Sequence, residues 1–233
     1  MQNRIAQVIR LLAVTSVVFI LRQPPAAAQN EPVPDPGRYL SQIESFTQWD
    51  SKNSYPQNAI LFVGSSSIRM WQTGIAFPEL PIINRGFGGA HISDMLCYFE
   101  ETISKYKPNI VVFHCGDNDI ATGLSVDFVY DNYLTFIKKL TKCCPDTKLI
   151  YIPVKPSMPR WNKWIQMQKL NQKIADYNKQ YPNLYFVDTV TPLMTPENQP
   201  NPALFLEDSL HLNAKGYTLW NTVLKPLLEE LYK

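Results

Sequence analysis

The chain has 233 residues, 45% of them apolar and 18% charged, a balance that fits one globular domain with a substantial core. Its formal charge of +2 is not gathered into a basic stripe or a run of like charge. That excludes the compositions typical of nucleic-acid binders and of charged tails, so no nucleic-acid partner is expected.

Residues 1–28 read as a secretory signal peptide. Arg4 and Arg10 give a basic start, Leu11 to Leu21 is an apolar run, and Ala26-Ala27-Ala28 offers a small-residue cleavage site. The run is about eleven residues long, against the roughly 20 needed to span a bilayer, and Pro24-Pro25 closes it. Cleavage near Ala28 and export, to a periplasmic or extracellular destination, are therefore expected over a retained anchor. Losing Arg4, Arg10 and Arg22 would take the formal charge from +2 to −1. Residues 29–37, rich in proline, predict an extended linker, and residues 38–233 the folded domain. No later apolar stretch reaches spanning length, so no stable membrane insertion is expected after cleavage.

Along the domain, short runs of strand character alternate with longer helical patterns, which predicts a parallel sheet with helices on both faces. An early helix is expected over residues 38–49. Strands are expected over residues 59–63, 82–84, 110–114, 148–152 and 184–187. All but the short second one are rich in apolar and β-branched or aromatic residues, as strands buried on both faces should be. Val126, Val129, Tyr130, Tyr133, Ile137 and Leu140 recur at helical spacing behind a capping Ser125, and Met167, Leu170, Ile174 and Tyr177 repeat the pattern. A last helix carries Trp220, Val223, Leu224, Leu227, Leu228 and Leu231 in one stripe, with Asn213 as its cap. Cys97 and Cys115 fall within apolar patterns and are expected to be buried thiols, while Cys143 and Cys144 are too close together for a chelating CxxC pair.

In an open parallel sheet the ligand crevice lies beyond the carboxyl ends of the strands. Three consecutive strands deliver polar, glycine-containing loops there: Gly64-Ser65-Ser66-Ser67, Arg85-Gly86-Phe87-Gly88-Gly89 and Cys115-Gly116-Asp117-Asn118-Asp119. A serine nucleophile needs a base to take its proton and donors to hold the developing oxyanion. Gly64 permits a sharp turn that would present a following serine to the crevice, although three serines there also suit a plain helix cap. Of His91, His114 and His211, only His211 has a carboxylate on the same short loop, Asp208, just before the capped last helix. His114 ends an apolar strand and reads as structural. Candidate oxyanion donors are the amides of Ser66 and Gly89 and the Asn118 side chain, although an asparagine is also common in turns.

The four loops together resemble the SGNH hydrolases, also called GDSL lipases or esterases. Gly64-Ser65-Ser66 stands for the first block, Gly89 for the glycine of the second, Gly116-Asp117-Asn118-Asp119 for the G-x-N-D of the third, and Asp208 with His211 for the D-x-x-H of the fourth. The branch it is most similar to is the platelet-activating-factor acetylhydrolase-type group. The resemblance implies a flavodoxin-like α/β/α sandwich on a five-stranded parallel sheet, cleaving acyl esters without cofactor or metal. It also implies Ser66 as nucleophile, with Ser67 as second choice, and Asp208 and His211 as its partners. Ser65 stands where the family's name-giving aspartate usually lies, and Ala90 where an acid often follows the glycine.

The expected substrate is a small-molecule or glycan ester with a short acyl group. Trp71, Arg85, His91, Lys155, Arg160 and Trp161 are candidates to line the crevice, the tryptophans suiting sugar stacking. Two rival classes are a metal-dependent phosphoesterase using Asp117, Asp119, Asp208 and His211, and a non-catalytic glycan-binding protein on the same fold.

Overall fold

The computed structural model describes residues 34–233. The expected signal peptide and the first part of the linker lie outside the described residues. In chain order the domain comprises α1 (Leu40–Lys52), β1 (Ile60–Gly64), α2 (Ser66–Arg69), α3 (Thr73–Ala76), β2 (Ile82–Gly86), α4 (Ile92–Cys97), α5 (Phe99–Thr102), β3 (Ile110–His114), α6 (Asp117–Ala121), α7 (Val126–Cys143), β4 (Lys148–Tyr151), α8 (Trp164–Asn178), β5 (Leu184–Phe186) and α9 (Ala214–Leu231). Among the described residues no helix is long and apolar enough to cross a membrane.

The five strands form one all-parallel sheet in the order β2-β1-β3-β4-β5. This is the doubly wound, flavodoxin-like order, with its switch point between β1 and β3. Register matters more than order for the site. Gly64 pairs with Gly86 on one side and with His114 on the other, so β1, β2 and β3 all end at one level. Their three exit loops therefore share one edge.

Each strand face finds its own core. Leu61, Val63, Val111 and Phe113 pack with Val129, Tyr133 and Phe136 of α7 and Leu170 and Ile174 of α8. The alternate residues Ile60, Phe62, Ile110 and Val112 pack with Trp71 and with Trp220, Leu224 and Leu228 of α9. That alternation is the period-two geometry of a strand buried on both sides. Ser125 caps α7 by accepting from the Phe128 amide, and Asn213 caps α9 by accepting from those of Lys215 and Gly216. Both caps sit where the sequence predicts them.

Some boundaries differ from expectation. The end of the predicted linker is not extended: Asp35 caps a 3₁₀ turn, Pro36–Tyr39, so α1 begins at Leu40 and runs on to Lys52. β2 continues to Gly86 because its ladder with β1 continues that far, whereas β4 and β5 stop at Tyr151 and Phe186. Cys97 is exposed rather than buried, since α4 turns Ile92 and Met95 inward and ends at Cys97. Cys115 is buried as expected, and all four cysteines are free thiols.

Gly64 is what lets β1 turn out of the sheet beside β3. Its φ is +141°, and an added Cβ would lie 1.9 Å from the His114 carbonyl oxygen. Gly64→Ala is therefore expected to cost about 2 kcal/mol or more, from backbone strain plus the collision. Gly74 of α3, where a Cβ would meet nothing within 4 Å, is the control, with Gly74→Ala neutral or slightly stabilising. Thermal unfolding of the two variants checks this.

Candidate active site

The D-x-x-H segment is a small self-supporting loop. Its base is pinched by an antiparallel bridge between Phe205 and Leu212, and the Leu206 amide donates to the His211 carbonyl at 2.8 Å. Asn213, besides capping α9, donates to the carbonyls of Ala203 and Phe205. Within the loop Ser209 adopts a left-handed φ of +53°, which folds Asp208 back over the turn. Asp208 Oδ1 then accepts from the amides of Leu210 and His211, each at 2.9 Å, and Oδ2 lies 2.6 Å from His211 Nδ1.

That contact determines the imidazole's tautomer. A carboxylate can only accept, so Nδ1 carries the proton and Nε2 of the neutral ring is left as acceptor. Nε2 lies 2.9 Å from Ser66 Oγ, which completes a continuous Asp208–His211–Ser66 chain. The bond from His211, followed by the two backbone amides, holds the Asp208 carboxyl down to about 2, so it is ionised at any ordinary pH.

Ser66 is the first residue of α2, immediately past the Gly64 turn. Its neighbours face elsewhere. Ser65 is fully buried and donates to Asp117 Oδ1 at 3.4 Å. Ser67 is buried with its hydroxyl unpartnered, and its carbonyl accepts from Tyr217 of α9. The histidine meets Ser66 and neither of the others.

The remaining expected donors come from the next two loops. Gly89 is exposed with φ +76°, a conformation that suits glycine. Asn118 on α6 donates from Nδ2 to the Ala90 carbonyl at 3.0 Å, which ties the loop after β3 to the loop after β2. Its Oδ1 accepts from Arg160 Nη2 at 2.7 Å.

Of the six residues expected to line the crevice, Arg160 reaches this group and Lys155 lies just behind it. Arg160 also bonds Asp117 Oδ2 at 2.9 Å, and the Lys155 ammonium is 3.9 Å from the same oxygen. Three others are drawn away. Trp71 is in the core against Phe62 and Trp220, Arg85 is ion-paired to Asp50, and His91 is buried as the N-cap of α4. Trp161 stacks on Trp164. His114 is structural, donating to or accepting from nothing in the crevice; its Nδ1 meets the Ile152 carbonyl, and burial pushes its pKa down to about 4.

Asp117 is the group whose importance the sequence hid. It is buried, and burial raises its carboxyl, but Lys155, His114 and Arg160 outweigh that and bring it down to about 2. An acid inside G-x-N-D at the end of a buried strand requires a cation. The basic residues that follow β4 are the ones the topology places on that edge, which is the signal by which Arg160 is traceable. The four residues of the phosphoesterase alternative do not converge. Asp117 faces Arg160, Asp119 faces the Ile92 amide, and only Asp208 and His211 meet. Among the described residues no three His, Cys, Asp or Glu side chains are grouped to hold a metal ion.

A serine, histidine and aspartate in line at the carboxyl edge of a 2-1-3-4-5 sheet define the class as a hydrolase of the α/β/α sandwich type. A sequence model of the GDSL-like lipase/acylhydrolase family matches residues 67–219, about two thirds of the chain. The chain belongs to that family and is by class an ester hydrolase. No curated protein matches the chain. Solved structures share the fold. One from Streptococcus pneumonia, provisionally described as a platelet activating factor, is 21% identical with a TM-score of 0.73, covering 82% of this chain and 93% of that one. A GDSL-like lipase from Bacteroides thetaiotaomicron is 22% identical with a TM-score of 0.70, covering 82% and 98%. A catalytic mutant of an acetylxylan esterase from Geobacillus stearothermophilus is 16% identical with a TM-score of 0.60, covering 76% and 95%.

The second acid of the G-x-N-D block behaves oppositely to the first. Asp119 Oδ1 accepts from the Ile92 amide at 3.1 Å, while Oδ2 is buried without a partner. Burial pushes this carboxyl up to about 7, against the smaller pull of His91 and the Ile92 amide. A raised acid keeps its proton in the folded state while the unfolded chain loses it from about pH 4 upward, so stability falls as pH rises from about 4 to 7 and levels off above. Asp119→Asn keeps an oxygen for Ile92 and has no proton to lose. Its denaturant midpoint is expected to decline less than wild type over that interval, measured by urea unfolding at pH 4.5, 6 and 7.5.

Proposed function

We propose that the protein is a serine esterase acting on short-acyl, chiefly acetyl, esters, with Ser66 as nucleophile, His211 as general base and acid, and Asp208 as the group that orients and stabilises the imidazole. The observation that carries this reading is the unbroken chain from Asp208 Oδ2 through His211 to Ser66 Oγ, with contacts of 2.6 and 2.9 Å. His211 Nε2, already an acceptor, takes the Ser66 proton as Oγ attacks the ester carbonyl. The imidazolium formed is held by the ionised Asp208. It then protonates the departing alcohol, and water releases the acyl group by the same route.

The oxyanion is held by the Ser66 and Gly89 amides and by the Asn118 N–H that is not used on Ala90. A small acyl group is favoured because the Asn118 side of the site is occupied by Arg160 and Asp117, and a long alkyl chain laid there would strip water from a guanidinium and an amide. An acetylxylan esterase shares the fold, which supports acetylated saccharides as the substrates to test after model esters. The assignment is tested with p-nitrophenyl acetate, butyrate and octanoate. Wild type is expected to prefer acetate and to resist chelator. Ser66→Ala is expected to lower kcat by roughly 10⁴-fold or more, and Ser67→Ala to leave it near wild type. Full activity in Ser66→Ala, or equal loss in Ser67→Ala, would overturn the nucleophile; a preference for octanoate would overturn the short-acyl reading.

The protein is further proposed to be exported and cleaved near Ala28, on the basic, apolar and small-residue pattern of residues 1–28. Intact-mass analysis of protein recovered from the cell exterior or periplasm is expected to give a chain beginning at or near Gln29. A full-length mass in the cytosolic fraction alone would contradict it.

A further inference from the structure

We propose that Arg160 is the positioning residue of the oxyanion site: it fixes the orientation of the Asn118 amide and holds it to the buried Asp117. This rests on the reading of Asn118 as an oxyanion donor.

An asparagine amide has two nearly isosteric orientations, and only one of them offers N–H groups to an oxyanion. Here the choice is made by two partners of fixed chemistry. A guanidinium can only donate, and Arg160 Nη2 lies 2.7 Å from one end of the amide. A backbone carbonyl can only accept, and that of Ala90 lies 3.0 Å from the other end. Turning the amide over would set donor against donor and acceptor against acceptor. The observed orientation leaves one Nδ2 hydrogen unclaimed by the protein.

Arg160 is itself held. Its Nη1 donates to Asp117 Oδ2 at 2.9 Å, so its two terminal nitrogens span adjacent residues of α6, Asp117 and Asn118. Asp117 is buried and ionised, and its other oxygen accepts from Ser65, the residue before the nucleophile. The guanidinium fork is the one side chain that can meet both groups at once. A lysine ammonium can neutralise Asp117, but it has no second, rigidly spaced nitrogen for Asn118. The positive charge on Oδ1 also polarises the amide and makes its N–H a better donor.

The experiment compares kcat and KM for p-nitrophenyl acetate in Arg160→Ala, Arg160→Lys, Asn118→Ala and the double variant Asn118→Ala/Arg160→Ala. Losing an oxyanion donor outright costs about 10²- to 10³-fold in kcat, so losing its support is expected to cost about 10- to 100-fold, with KM changed much less. Arg160→Lys is expected to keep a melting temperature near wild type because Asp117 stays paired, yet to remain slow. It is the informative variant should Arg160→Ala not fold. In the Asn118→Ala background, Arg160→Ala is expected to cost little more, because the two residues act as one unit. Guanidinium ion at millimolar concentration is expected to restore part of the activity of Arg160→Ala but not of the double variant. Wild-type kcat in Arg160→Lys, or equal multiplicative losses in both backgrounds, would overturn the role of Arg160. Wild-type kcat in Asn118→Ala would instead overturn the oxyanion reading, a separate failure.

Discussion

A carboxylate buried at the end of a central strand must be compensated, and that constraint organises the crevice. Asp117 follows β3 at the switch point of the sheet, where leaving it unpaired would cost several kcal/mol. Its compensation is drawn from two other parts of the chain: Ser65 after β1, and Arg160 with Lys155 after β4. The carboxylate therefore fixes three exit loops relative to one another. Asn118, the next residue, inherits that placement, and through Ala90 it extends the arrangement to the loop after β2. The level register of β1, β2 and β3 brings these loops to one edge, and the buried charge then holds them in a single arrangement.

The aspartate–histidine pair is built on the opposite plan. Asp208 and His211 are three residues apart, and the loop that carries them is closed by its own backbone and by Asn213. Asp208 is nearly half exposed and depends on short-range bonds for its low pKa, not on burial. The pair is joined to the loop after β1 by one long-range contact, Ser66 to His211. One half of the site is thus rigid because it is buried and charged, and the other because it is local.

How much of this was readable in advance follows from the range of the interactions. Strand identity and order of exit were legible because burial on both faces leaves runs such as Ile110–His114 without a polar residue before the last. The caps at Ser125 and Asn213 and the Asp208–His211 pair were legible because each is settled within three residues of sequence. Less legible are the exposure of Cys97, which depends on which face of a short helix meets the core, the extent of β2, which its ladder with β1 sets, and the turn at residues 36–39, which Asp35 caps. Residue type alone puts Trp71, Arg85 and His91 in the crevice. Their actual partners, Trp220, Asp50 and Thr122, belong to packing that no local pattern encodes.

The departure at Ser65 is explained by the same buried charge. Where the family usually carries an aspartate, this chain has a fully buried serine whose hydroxyl donates to Asp117. An aspartate there would set a second carboxylate against Asp117 with no room for bulk water between them, and one of the two would have to take a proton. Serine supplies a donor in place of a charge, so one acid at Asp117, balanced by Arg160, suffices for the edge of the sheet. Ala90 fits the same logic. It is buried, and its carbonyl already accepts from Asn118 and from the Cys115 thiol, so an acidic side chain there would add a charge beside an acceptor that is fully used. At both positions a neutral residue stands where a further carboxylate would lie beside Asp117 or the Ala90 carbonyl, and Asp117 is left to the Arg160 guanidinium on one oxygen and the Ser65 hydroxyl on the other.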